Sequence, residues 1–543
     1  MKRTAFLVAN CFVTLLLALL VRAQSSTTAS MSTHLGEVNF ATSCAAGASE
    51  LVETGVALLH SFQYTESHDA FIQAAKEDPS CAMAHWGLAM SRDQLLWEFP
   101  DKQTLQQGLE DVQQAQKLSA STLSENKITE RERGYITAVA AFYREDPKLT
   151  REQRIRAYLA VLDQLRKQYP DDVNAAAFYA LTLYALTDYE KGGDKKGADT
   201  KEAITILQSL CEKAPNNPGP AHYLIHAAHS PEFAEQGLRA ARAYAKMAPD
   251  SSHALHMPSH IFVRLGLWQE SIDSNIAAAA AAEKAINEHR GEAQYEFHAV
   301  DFLHYSYLQS GHEAKAREVL EQVRRVPSAD HEATEDHFGY MSARTALELH
   351  RWKDAATLSI PDVRPAYQES TYRVRAIGAA RSGDAKAARK NLRKYEQLYG
   401  ALRKELSQKG DEQQKGKSVG ELEAEAWVQY AEGKSDKALK TMRAAGDKQG
   451  DDLDSLEVPA REMLGDLLLE LKRPADALAE YQTSLKDSPN RFDSVYGAAQ
   501  SAQLANRAAD ARTYFTKLIE ICTPSADRPE LAEAKSFGVI TSK

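Results

Sequence analysis

The residues with the most chemistry to offer in this chain are histidines, and they are concentrated. Nine of the 17 lie between His222 and His304, where even scatter would place about three. Most are also in phase. At roughly 100° per residue, His222, His226 and His229 share one helical face, and His253, His256 and His260 do the same. Neutral imidazole is the commonest protein ligand for zinc, copper, nickel and iron, and an i, i+4 pair on a helix can hold one ion. The spacing therefore points to a groove that binds a transition metal. Catalytic sites typically use three protein ligands and keep one position open, and His298 with Asp301 would extend the donor set in that direction. No HExxH, CxxC or glycine-rich phosphate loop occurs, so spacing names no reaction class. Two classes of function stay open. One is a metal-dependent enzyme with the His/Asp cluster as its active site. The other is a metal-free scaffold whose groove histidines hydrogen-bond a protein, a peptide or a small anionic ligand.

The elements that must position these residues read as helices. Alanine is abundant, apolar residues recur at three and four, and strand-like alternation is nearly absent. Lys2 and Arg3 precede the apolar run Ala5 to Leu20, and Val21-Arg22-Ala23 offers a small-residue cleavage site. Residues 1–23 are thus expected to be a secretory signal, and the mature chain periplasmic or secreted. No later apolar run reaches 18 residues, so no further membrane span is expected. The net charge of -10, with signs interspersed, excludes the concentrated basic face that nucleic acid requires. Of the four cysteines after the signal, Cys44 and Cys81 flank one predicted helical pair and are the candidates for a disulfide, with two buried thiols as the alternative.

Internal repetition organises the rest. Gly465, Ala477 and Tyr481 return 34 residues later as Ala499, Ala511 and Phe515, and Pro489 closes the first of these units. Phe71, Ala74 and Pro79 form the same skeleton, as do Leu162, Leu165 and Pro170, then Leu207, Leu210 and Pro215. Later units show Gly266 with Trp268, Gly311 with Ala316, Trp352 with Ala355, Gly383 with Ala388, and Gly433 with Ala438. This pattern resembles the tetratricopeptide repeat over about residues 50 to 520. Segments such as CAMAHWGLAM and HMPSHIF also resemble exported bacterial proteins of that family. The resemblance implies an all-α fold, a right-handed superhelical solenoid of antiparallel helix pairs, and protein or peptide partners. The expected division is 24–200 for N-terminal repeats, 201–406 for the histidine-rich repeats, 407–420 for a linker and 421–543 for C-terminal repeats. Lys191 to Thr200 and Gln449 to Val458 read as loops, Pro459 as the start of a helix, and the tail after Thr523 shows little periodicity.

In the family the first helix of each pair lines the concave surface. The family register then aims His222, His226, His229, His253, His256, His260, His298 and Asp301 at one hollow as metal ligands, with Trp86, Tyr305, Tyr340 and Arg344 as groove walls suited to a carboxylate-bearing ligand. His304 falls at the small-residue crossing and is expected to pack between helices. His289 lies in a charged run and reads as surface. Pro258 breaks a rule. A helix begun near Ser251 would carry it internally at a cost of roughly 3 kcal/mol, which predicts a kink beside the histidines. A helix begun at Pro258 would instead leave His253 and His256 in a lead-in loop.

Overall fold

The computed structural model describes residues 34–96, 100–121, 127–189, 193–288, 293–328, 330–408, 416–449, 456–522 and 525–540. The expected signal, His289 and half of the expected linker lie outside them. Every regular element among the described residues is helical, from Ala46–His60 to Glu530–Ile540, and each helix packs on the next in a chain of antiparallel pairs. Local sequence sets the starts. Thr129 with Glu132, Thr150 with Gln153, and Ser418 with Glu421 form reciprocal caps that satisfy orphan amides. One backbone feature sets the turns. Two residues before the second helix of a pair, φ is positive at Phe62, Gly266, Gly311, His350, Gly383, Gly433, Lys472 and Asn506. Glycine occupies that left-handed position at no steric cost; Phe62 and His350 do not.

The small-residue crossings read from sequence are real contacts. A Cβ on Gly465 or Gly497 would stand 2.7 or 2.3 Å from the Tyr481 ring, and one on Gly55 or Gly87 would meet Phe71 at 2.6 or 2.1 Å. These aromatics are wedged between backbones, which is how consecutive pairs approach closely enough to exclude water.

The solenoid does not stay open. The Pro218–Ala227 helix returns to pack on Ala46–His60, with Glu37 N donating to Asn216 O at 2.9 Å. Further on, the Ala293–Gln309 helix meets Phe492–Leu504, Trp268 Nε1 donates to Asn490 O at 2.8 Å, and Asp527 N donates to Gly311 O at 2.9 Å. Two large apolar cores result, one spanning Phe40 to Phe262 and passing through residue 200 without a break, the other spanning Ala343 to Ala534.

Two local expectations are corrected and a third holds. The loop expected at Lys191 to Thr200 is helical from Gly193, as part of Gly193–Lys213. Buried Ala203, Ile204 and Leu207 anchor that helix, and extending an existing helix costs far less than nucleating one. The tail forms the helix Glu530–Ile540, which seats Leu531 and Ala534 in the second core. Pro459 opens the helix Ala460–Glu470 as expected, standing at its N-cap.

Cys44 and Cys81 are bridged, tying the segment before the first helix to the start of Ala82–Met90. Closing a loop of 37 residues' separation removes denatured-state entropy worth about 3–4 kcal/mol. Cys44→Ser with Cys81→Ser is therefore expected to lower stability by about that amount in urea denaturation. Equal midpoints for the variant and the oxidised wild type would contradict the assignment.

Candidate metal centre

A helix break at Pro258 lies among the histidines. Ser251 caps Ser252–His256 by accepting from Ala254 N at 3.2 Å. Met257 keeps a helical backbone, and Pro258–Leu265 continues until Gly266 ends it with φ of 65°. The result is one interrupted helix, with His253 and His256 before the proline and His260 after it.

The imidazoles sort into two triads. His222, His226 and His253 form one, and His256, His260 and His298 the other, with ligand atoms in each within 4.8 Å of one another. Each triad is an i, i+4 pair plus one histidine from the first helix of the next pair, so His253 leaves its sequence neighbours and joins the preceding unit. In the first triad, His222 Nε2 lies 3.2 Å from His226 Nε2 and 3.1 Å from His253 Nε2. In the second, His256 Nε2 and His260 Nε2 are 3.0 Å apart, and the His298 ring lies 4.3 Å from that of His256, centroid to centroid. Tetrahedral nitrogen ligands about 2.0–2.1 Å from zinc would be separated by about 3.3 Å. The spacing is that of a ligand set.

Supporting hydrogen bonds fix which nitrogens face inward. His222 Nδ1 lies 2.6 Å from the His60 carbonyl oxygen, which can only accept. The ring proton therefore sits on Nδ1, and Nε2 presents a lone pair to the triad. Asn275 does the same for His256. Its Nδ2 donates to Ser271 O at 2.8 Å, which turns Oδ1 toward His256 Nδ1 at 2.7 Å. His229 Nε2, 3.4 Å from His260 Nδ1, is placed to orient the third ring. Burial pulls His226 down to about 4 and holds His222, His253, His256 and His260 well below the ordinary histidine range, with neighbouring imidazoles adding to the effect. All are neutral near pH 7, the form that binds metal.

Each triad has a phenylalanine cover. The Phe62 ring lies 4.4, 5.3 and 6.1 Å from the rings of His222, His226 and His253. Phe302 lies 4.8, 4.6 and 5.1 Å from those of His256, His260 and His298. The triads differ in access. His222 and His253 are buried and His226 half-buried, whereas His298 is exposed.

Other expected site residues lie elsewhere. Asp301 is no part of either triad; it accepts from Arg344 Nη1 at 2.6 Å in a buried ion pair. Arg344 is therefore committed, and its guanidinium lies over the half-buried Tyr340 ring at 4.6 Å. Tyr305 is buried and accepts from Arg491 Nη1 at 3.0 Å. Trp86 is 1% exposed, stacked on Phe40 at 5.1 Å. Phe40 belongs to the segment before the first helix, which lies against the first helices through Arg131 to Ala41 O and Asn174 to Asn39 O. Three of the four expected groove walls, Trp86, Tyr305 and Arg344, are thus interior. His60, Phe62, Asn275 and Phe302 carried no periodic signal, and only their contacts give them a role.

His304 packs between helices. It is fully buried, with Nε2 2.8 Å from Thr345 Oγ1 and no partner on Nδ1. Burial pulls its pKa from 6.5 to about 3. The unfolded chain then binds a proton between those values that the folded chain refuses, so stability is complete above about 6.5 and declines as pH falls toward 3. The expected loss across that window is on the order of 5 kcal/mol. Urea denaturation of His304→Gln should show a shallower loss over that window than wild type; parallel curves would contradict it.

Among comparisons with known proteins, the family model described as Tetratricopeptide repeat matches residues 423–490 and 462–526. No curated relative matches. Among solved structures, a chain from the structure of Naa15/Naa10 bound to HypK-THB is similar over 91% of each chain, at 12% identity and a TM-score of 0.27, too low to carry an argument. No helix among the described residues is long and apolar enough to cross a membrane. Pairs turning on one left-handed position, with aromatics wedged between glycines, recur through the described residues, and the family match identifies the tetratricopeptide repeat in residues 423–526.

Proposed function

We propose that this is an exported tetratricopeptide-repeat protein that holds transition-metal ions in two histidine triads. The observation that carries the reading is the convergence of His226 Nε2 and His253 Nε2 on His222 Nε2, at 3.2 and 3.1 Å. A single lone pair cannot satisfy two donors well, whereas one metal ion satisfies three nitrogens at once. An all-nitrogen set favours zinc, copper or nickel, with iron next, and disfavours magnesium and calcium. Export is supported by the charged and apolar start of the chain and by the Cys44–Cys81 bridge.

The two sites take different parts. The buried first triad ties the Pro218–Ala227 helix to Ser252–His256 and serves the fold. The second reaches solvent through His298, so it is the one at which a substrate or exchangeable ligand could complete the coordination shell. A metal-dependent activity, the alternative to a binding role, belongs at that triad. Elemental analysis of protein purified without a histidine tag tests the proposal. Two metal equivalents are expected, one leaving quickly and one slowly on dialysis against a chelator. Protein that stays metal-free after incubation with zinc, copper and nickel, with an unchanged melting temperature, would sink it.

A further inference from the structure

The C-terminal repeats enclose a second concavity, and its chemistry is opposite in sign to the carboxylate-binding groove that the sequence suggested. It is an open pocket of about 530 Å³ between Ala460–Glu470, Phe492–Leu504 and the neighbouring ends at His350 and Arg381. Four carboxylates line it, Asp466, Glu470, Asp493 and Glu533, against one guanidinium. That guanidinium is not available. Arg381 donates to Asp466 at 2.5 Å and to Glu470 at 3.2 Å, and it lies over the rings of Trp352 and Trp427 at 4.0 and 4.2 Å. His350 Nε2 stands 3.7 Å from Asp466 Oδ2, and burial lowers its pKa, so it adds no charge near pH 7. The pocket is acidic.

An excess of acid alone would be a solvated surface. The independent observation is Asp493, at 4% exposure. Its Oδ1 accepts from Arg528 Nη2 at 2.9 Å, while Oδ2 is buried without a partner at the pocket floor. A buried, unpaired carboxylate oxygen is costly to keep, on the order of 1–3 kcal/mol, and a ligand donor would relieve it. His350 points the same way. It holds φ of 49° at the turn position where four other pairs use glycine, a conformation that costs a non-glycine residue of order 1–3 kcal/mol and is concentrated at binding sites. Leu469 and the largely exposed Leu504 supply an apolar margin, and Gln500 and Gln503 line the pocket beside them.

We propose that this pocket binds an ammonium or guanidinium group carried on an alkyl chain, the cation directed to Asp493, Glu470 and Glu533 and the chain against Leu469 and Leu504. The chemistry is shared by a lysine or arginine side chain of an extended peptide and by a free aliphatic diamine. The assignment is independent of the metal sites.

The test uses the full mature chain. Binding of a fluorescein-labelled peptide with alternating lysine and leucine is followed by anisotropy, beside calorimetry with 1,5-diaminopentane and a matched peptide carrying glutamate for lysine. Saturable binding of the lysine peptide is expected, with no binding of the glutamate peptide and weakening as salt rises. Binding of the diamine as well assigns the free amine as a ligand; its absence beside peptide binding assigns the peptide. Glu470→Gln with Glu533→Gln, both on the accessible margin, is expected to raise Kd about tenfold or more with an unchanged melting temperature. Asp493→Asn is expected to do so more strongly. Binding by neither cationic probe at millimolar concentration, equal binding of the glutamate peptide, or a folded double variant that binds like wild type would overturn the proposal.

Discussion

Replacing His222 with alanine is expected to remove one of two metal equivalents and leave the other bound. His222 is the hub of its triad, the ring toward which both partners point. Losing it leaves two imidazoles with a missing third ligand, and affinity at that site should fall about 100-fold or more, beyond what loss of a supporting residue costs. His256→Ala should spare the first site and empty the second. The double variant should purify without metal. Asn275→Leu is the finer probe: it keeps every ligand and removes only the acceptor that holds the His256 proton on Nδ1, so affinity at the second site should fall about 10- to 100-fold. Metal should also stabilise the wild type, by about 4 kcal/mol at a thousandfold excess over Kd, and His222→Ala should lose the larger share because its site joins two helical segments. Metal content unchanged in both single histidine variants and in the double variant would show that any ion is held elsewhere.

Arg491→Leu is expected to be the most damaging single change for stability. Arg491 is fully buried and reaches three separate helices. Its Nη2 donates to both Glu348 oxygens at 2.8 and 2.7 Å, its Nε to Glu462 Oε2 at 2.7 Å, and its Nη1 to the Tyr305 hydroxyl at 3.0 Å. Next to it, Phe492 N donates to Gln309 Oε1 at 3.0 Å. These bonds make the second closure, where C-terminal repeats meet the middle of the chain. Removing the cation leaves two buried carboxylates facing each other, a cost of about 3–5 kcal/mol. Lysine should not substitute, because a single ammonium cannot reproduce the fork that serves Glu348 and Glu462 together. Combining Arg491→Met with Glu348→Gln and Glu462→Gln should recover much of the loss, because the penalty lies in the unpaired charges rather than in the missing attraction. Denaturation midpoints for the single and triple variants decide it, and a single variant as stable as wild type would show that the network contributes nothing.

The site was legible in one respect and illegible in another. Periodicity identified which histidines share a face, and an i, i+4 pair stands at the heart of each triad. It could not group them further. His253 reads as a companion of His256 and His260, yet it stands with His222 and His226, while His256 and His260 stay together across the break at Pro258. Asp301 shares the register of His298 and was assigned to the metal, but Arg344, 43 residues later, claims it. Trp86 and Tyr305 fit a groove-facing register in an array that does not remain a groove. Helical phase is a property of neighbours in sequence; partners arriving from 40 to 200 residues away leave no trace in it.

What the sequence determined by itself was the unit: helix pairs with a left-handed turn, small residues where helices cross, and histidines in phase on the first helices. Those features are local, set by backbone sterics and by the 3.6-residue period, and each can be read without knowing what lies across from it. What only the tertiary structure decided was the double closure of the solenoid. It buried His222, drew Phe62 over the first triad, gave His222 the His60 carbonyl and left His298 as the exposed ring of the second. Curvature accumulates from small rotations between successive pairs, and no single residue encodes the sum.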